Sequence, residues 1–163
     1  MICKAATGRG GHPIRLVSVL LLLWSALCPL APAQDLNSPA SRTALEQTVR
    51  DYAGLYRRET LEQWKTLFHP LLTVAHPRDD GSIRVRNLEE FYGAQRNYFE
   101  TGRKTSERLE NVRIEEGRRI ARVTADFIFA DEGEESRGKL GLHLVESKEG
   151  WKIVAIVFSY DKV

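Results

Sequence analysis

Cysteine is almost missing from this 163-residue sequence: there are two, Cys3 and Cys28, and both lie in the first 33 residues. That segment also lacks any acid. It opens with Lys4, Arg9 and Arg15, continues through an apolar run from Leu16 to Leu30, and closes on Ala31, Pro32 and Ala33. Basic, apolar and small residues in that order are the pattern of a secretory signal peptide. The apolar run is shorter than the roughly 20 residues a membrane span needs. Leu27 stands where a lipobox would carry a small residue, so Cys28 does not read as a lipid anchor.

Residues 1–33 are therefore expected to leave as a signal peptide, making the protein exported (periplasmic or secreted), with no membrane association after cleavage. Of 163 residues, removal of 33 leaves 130, one domain with room for a real core. Without a thiol, that domain has no disulfide, no thiolate metal site and no cysteine nucleophile. Its excess of positive charge also disappears. Loss of three of the 24 basic residues leaves 21 against 22 acids, turning a formal +2 into −1. Nucleic acid and anionic membrane are poor partners for such a chain. Nucleophile-elbow and phosphate-loop patterns are absent too, and Ser82, Ser106, Ser136 and Ser159 stand in no such motif.

What is present alternates in a readable way. Residues 34–39 form a short linker, with Ser38 and Pro39 fitting a helix cap and first helical position. Leu45, Val49, Tyr52, Ala53 and Tyr56 then recur at helical spacing, opposite Arg50, Asp51, Arg57 and Arg58. Thr60 to Gln63 carries a capping-box pattern for a second helix with Leu61, Trp64, Leu67 and Phe68, stopping near His69 before Pro70. Leu71 to Ala75 reads as a strand, and Arg78 to Arg86 as a solvated loop. A third helix opens at Asn87, with Glu90 reaching back, and ends at Gly102.

Four strand-like runs follow, near 104–115, 118–130, 136–147 and 151–160, separated by glycine-containing turns. Ala121, Val123, Ala125, Phe127 and Phe129 give the second of these runs one apolar face, and Leu140, Leu142 and Leu144 do the same for the third. The last run, from Trp151 to Phe158, reads as apolar on both faces, which calls for a cover on the outer one. A second copy of the chain is the simplest cover. Helices first and strands after make an α+β domain.

This order of elements, with a short helix ending in Phe-His-Pro, a strand ending in Ala-His-Pro, a helix starting Leu88-Glu-Glu-Phe-Tyr92 and a terminal Gly150-Trp-Lys-Ile-Val154 strand, resembles the nuclear-transport-factor-2-like superfamily. It is most similar to the bacterial SnoaL-like and ketosteroid-isomerase-like branch, over residues 40–163. The resemblance implies a cone-shaped domain: three N-terminal helices packed on a curved, mostly antiparallel sheet, a pocket between them, and a homodimer through the convex sheet face. It implies no cofactor. The fold hosts enzymes, binding modules and dimerisation domains alike, so function must come from the site.

In the isomerase-like relatives the residue before the proline at the end of the first strand points into the pocket as a base, and here that position is His76. A histidine suits general base work near neutral pH. The same pattern needs a first-helix tyrosine, which Tyr52 or Tyr56 could supply, and an acid on the third long strand, where this sequence has Leu140 and Leu142. Asp126 and His143 fall on the opposite face by alternation. Half of an oxyanion site is then missing.

The pocket wall is expected from Tyr52, Tyr56, Trp64, Tyr92 and Phe127. His69 reads as a helix-terminal residue bonding orphan carbonyls. No metal is expected. His69 and His76 lie roughly 20 Å apart along an extended strand, too far to share an ion with Asp79 or Asp80. The reading that follows is a non-catalytic pocket domain for a small apolar ligand, or a homodimeric accessory module. The alternative is a small isomerase, cyclase or dehydratase with His76 as base.

Overall fold

A computed structural model of the chain describes residues 39–161. The expected signal peptide, its cleavage site, both cysteines and the Ser38 cap lie outside those residues. All described residues fall within the unit Gln34–Val163. Helix α1 (Pro39–Gly54) is followed by a 3₁₀ turn (Arg58–Thr60) and the short α2 (Leu61–Lys65). Strands β1 (Phe68–Pro77) and β2 (Ile83–Asn87) come next, then α3 (Leu88–Glu100) and the strands β3 (Thr105–Glu116), β4 (Ile120–Asp131), β5 (Glu134–Ser147) and β6 (Gly150–Tyr160). Together they form an α+β fold with one curved sheet. Its strand order is β2-β1-β6-β5-β4-β3, and every pairing is antiparallel except β1 with β6.

Local chemistry accounts for most of these boundaries. Asn87 caps α3 by accepting from the Glu90 amide at 2.9 Å, while the Glu90 carboxylate accepts from the Asn87 amide, so the expected capping box is complete. The β4–β5 turn places Glu132 and Gly133 at positive φ, as a two-residue hairpin connection requires. The turn before α2 differs from expectation. Thr60 makes no cap; its hydroxyl instead donates to the Leu55 carbonyl at 2.8 Å. Helix α2 ends at Lys65, so His69 lies in β1, and its Nδ1 accepts from the Leu71 amide at 3.1 Å. Burial of Phe68 and Leu72 on the sheet outweighs the helical tendency of this stretch.

Residues 83–87 are likewise a strand rather than part of a loop. Ile83, Arg84, Val85 and Arg86 alternate, and they pair with β1 from Pro77 back to Val74, with Asn87 opposite Thr73. The alternation was present in the sequence but masked by the three arginines Arg78, Arg84 and Arg86 and the acidic turn between them.

Curvature comes from extra residues inserted into the ladders. Between Glu110 and Arg113 the β3–β4 register slips, with Asn111 at φ 51° and its side-chain amide donating to Asp126 at 2.7 Å. A second slip in β6 leaves Val154 without a partner in β5, because Ile153 faces Leu144 and Ala155 faces His143. That bulge corrects the reading of β6 as apolar on both faces by simple alternation. It puts Trp151, Ile153, Ile156, Phe158 and Tyr160 together on the concave face, while Ala155, Val157 and Ser159 turn outward.

The concave face and the helices enclose the core. Leu45, Trp64, Leu72, Val123, Leu142, Leu144, Ile153 and Ile156 are among its most completely buried members. Two indole N–H groups tie α1 to this core, with Trp64 donating to the Tyr52 carbonyl at 2.7 Å and Trp151 to the Ser41 carbonyl at 3.1 Å. The outer face stays open. One cross-strand row there runs Val85, Ala75, Val157, Gly141 and Thr124. Ile83, Val85 and Val157 are 71, 60 and 52% exposed.

Candidate functional site

A cavity of about 200 Å³ lies between the helices and the concave sheet face. Tyr52 (on α1) and Tyr56 reach it from one side, Trp64 from α2, Phe91, Gln95 and Tyr98 from α3, and Glu107, Phe127, Phe129, Leu140, Phe158 and Tyr160 from the sheet. Nine of these twelve are aromatic, because the helical period of α1 and α3 and the pleat of β4 and β6 all aim rings at one volume. An engineered apolar cavity of about 150 Å³ admits benzene, so this one has room for about one ring with small substituents.

Phe127, Phe158 and Tyr160 stand nearly perpendicular to one another, at 86°, 78° and 87°, with centroids 5.2–6.1 Å apart. They form the corner of a box, in the edge-to-face geometry that ring quadrupoles favour. Phe127 can lie this close to the sheet because position 138 is glycine.

Polar groups in the wall are few. The Tyr56 hydroxyl donates to Gln95 Oε1, and Tyr98 bonds Asp131. Tyr52 is 5% exposed and its hydroxyl has no hydrogen-bond partner among the described residues. Burial, with Glu107 nearby, pushes the Tyr52 and Tyr56 phenols well above the usual tyrosine range, so both remain neutral and able to donate.

Glu107 is the one carboxyl in the wall and has neither an ion-pair nor a hydrogen-bond partner among the described residues. The residue is half-buried, and loss of hydration raises its pKa to about 8. An acid in this state is a hydrogen-bond donor at neutral pH and an acceptor just above it.

The residues expected at the site separate into two groups. Tyr52, Tyr56, Trp64 and Phe127 line the cavity. Tyr92 does not: it is buried against α2, its hydroxyl donating to Glu62 and its ring lying under the Lys65 ammonium at 4.5 Å. His76 does not line it either. Its ring stacks on Phe158 with centroids 4.8 Å apart, and its Nδ1 lies 3.2 Å from the Pro77 carbonyl oxygen. Leu140 and Leu142 are buried apolar residues, and Asp126 sits on the outer face with Lys139 at 2.6 Å.

Sequence reasoning missed Glu107. The signal was Leu109: it shares the odd-numbered face of β3 with Thr105 and Glu107, and register pairs Leu109 with Phe127 and Glu107 with Phe129. Among the described residues no group of three His, Cys, Asp or Glu could hold a metal ion, and no helix is long and apolar enough to cross a membrane.

Comparison with known proteins agrees with this architecture. A family model described as a SnoaL-like domain matches residues 45–161. No curated protein matches the chain. Among solved structures, the chain is similar to a candidate dehydratase of the nuclear-transport-factor-2-like family from Streptomyces avermitilis (TM-score 0.64, 12% identity, 77% of this chain and 100% of that one). It is also similar to a candidate scytalone dehydratase from Novosphingobium aromaticivorans (TM-score 0.61, 16% identity, 76% and 85%). The beta subunit of benzoate 1,2-dioxygenase from Burkholderia mallei is a third (TM-score 0.61, 14% identity, 72% and 88%). At these identities the likeness is one of fold alone.

Proposed function

From the premise that the chain belongs to the SnoaL-like family of nuclear-transport-factor-2-like proteins, we propose that it is an exported pocket domain that binds one small, single-ring molecule without transforming it. The observation that carries this reading is the cavity itself: about 200 Å³, walled mainly by rings, with Glu107 and the Tyr52 hydroxyl left unpartnered inside. A polar group in a largely apolar wall gains from a hydrogen-bond partner, and a ligand would supply one to both. The signal-peptide pattern of residues 1–33 supports export.

The test is a thermal-shift screen with single-ring compounds. A ligand at 100 times its Kd adds about 2.7 kcal/mol, which raises the Tm of a domain this size by about 5 °C or more. The Leu140→Trp variant, which fills the cavity, loses the shift. A screen in which no such compound moves the Tm of the unaltered protein would defeat the reading.

A second reading, a small dehydratase or isomerase, draws support from one observation. A carboxyl with a pKa of about 8 beside neutral phenols is poised for proton transfer near physiological pH. In that case the base is Glu107, with Tyr52 polarising a carbonyl, and His76, outside the lining, is replaceable. Two structural neighbours are described as candidate dehydratases.

The outer face supports a homodimer. Its apolar row through Val85, Ala75 and Val157 is long, weakly charged and open, the kind of patch that pairs with another surface. Light scattering should give twice the monomer mass, and the double variant V85E/V157E should give the monomer with an unchanged circular dichroism spectrum. A monomeric unaltered protein at high concentration would remove the proposal.

A further inference from the structure

Resting on the pocket reading above, we propose that the ligand is a small organic cation, an amine or methylated ammonium on a single-ring or short alkyl body. Its charge sits between the Phe127, Phe158 and Tyr160 corner and the Glu107 carboxylate. Three features of the cavity point the same way.

The three rings of the corner line the cavity in nearly perpendicular planes, and an aromatic face carries the negative part of the quadrupole that attracts a cation within about 6 Å. Glu107 is the only carboxyl in the wall, and it lacks any partner among the described residues. No Lys, Arg or His lines the cavity to compete for it. An anionic ligand would meet aromatic rings and an acid with no compensating charge in the cavity wall. A purely apolar ligand would fill the volume but leave the Glu107 carboxyl and the Tyr52 hydroxyl unpaired.

The same arrangement fixes a proton balance. With the cavity empty, Glu107 holds its proton at pH 7, because burial raises its pKa to about 8. A bound cation favours the carboxylate, so the Glu107 O–H bond breaks and one proton passes to solvent for each cation bound. The groups facing Glu107 do not share this titration. Tyr52, Tyr56, Tyr98 and Tyr160 are all shifted upward from the usual tyrosine value. Glu107 also lines a separate groove outside the cavity, together with Arg42, Glu46, Arg50 and Arg108. Arg42 is paired with Glu46 and Glu116, Arg108 with Glu110 and Glu135, and Arg50 bonds Gln47. His76 touches the site only through the Phe158 ring.

Benzyltrimethylammonium and its neutral isostere neopentylbenzene form the decisive pair of probes. They share one shape and differ in a charge that no pH can remove. Calorimetry on the purified full chain should show benzyltrimethylammonium binding about tenfold or more tighter near pH 8.5 than near pH 6. Near pH 7, heats measured in buffers of different ionisation enthalpy should show proton release approaching one per cation. Glu107→Gln abolishes both the pH rise and the proton release, whereas His76→Gln keeps them.

Neopentylbenzene binding as tightly as the ammonium at pH 8.5 would overturn the cation proposal and leave the pocket reading standing. So would an affinity for the ammonium that is flat in pH with no proton released. If neither probe binds and the single-ring screen is also silent, both readings fall together.

Discussion

Glu107→Gln raises the Tm near pH 8 and scarcely changes it near pH 4. In the unfolded chain Glu107 ionises near its ordinary pKa of about 4.3, but in the folded domain burial holds the proton on until about pH 8. Below pH 4 both states are protonated and the group contributes nothing. From there to pH 8 the unfolded state loses its proton while the folded state keeps it, so stability falls as pH rises. Above pH 8 both are ionised and the loss stays constant.

The full shift would correspond to roughly 4–5 kcal/mol. Because Glu107 is only half-buried as a residue, solvent screening reduces this to about 2–3 kcal/mol. Glutamine keeps the shape and never ionises, so it recovers that stability and forfeits the cation. A Tm difference that stays flat between pH 4 and pH 8 would mean that Glu107 is not desolvated. The expected gain in stability with loss of binding is the usual mark of a polar group kept for function.

Gly138→Ala should cost about 3 kcal/mol or more and lower the Tm by about 10 °C. A Cβ at position 138 would lie 2.1 Å from the Ser159 carbonyl oxygen and 2.5 Å from the Phe127 ring. The ring could turn, but the carbonyl belongs to the β5–β6 ladder, where Gly138 pairs with Tyr160. Strand separation or ring displacement must follow, and both disturb the corner formed by Phe127, Phe158 and Tyr160. Ligand affinity should therefore fall along with stability. The control is Gly141→Ala on the same strand, whose nearest neighbour would be at 3.8 Å and which should be nearly silent. Equal Tm values for the two variants would contradict this account of the sheet.

Much of the architecture was legible because it is written in short periods. The alternation of Ala121 to Phe129, the leucines at 140, 142 and 144, and the Asn87–Glu90 box each act within a few residues, and each appears in the structure as expected. Tyr52, Trp64 and Phe127 sit on the inward faces of α1, α2 and β4, whereas Tyr56 reaches the cavity from just past the end of α1. Local rules failed where long-range pairing overrode them. His69 looked like a helix end beside Pro70, yet sheet pairing took it into β1. The bulge at Val154 reversed the faces of β6 after one residue, and no sequence period announces an insertion whose cause is the register of β5.

The sequence by itself determined the α+β class, the meander, the composition of the core and the excess of aromatic residues, because propensity, turn chemistry and binary pattern are local. Tertiary structure alone decided what those rings surround. Glu107 sits in a stretch of charged residues where it reads as solvated, like Glu110 and Glu115. It becomes the distinctive group of the site only because bulges curl the sheet and bring Tyr52, Tyr56 and Tyr160 around it. His76, the residue the sequence singled out, lies against the far side of a wall ring, and the difference is one of three-dimensional enclosure. Hydration of a carboxyl depends on what closes over it, and that is a property of the assembled fold.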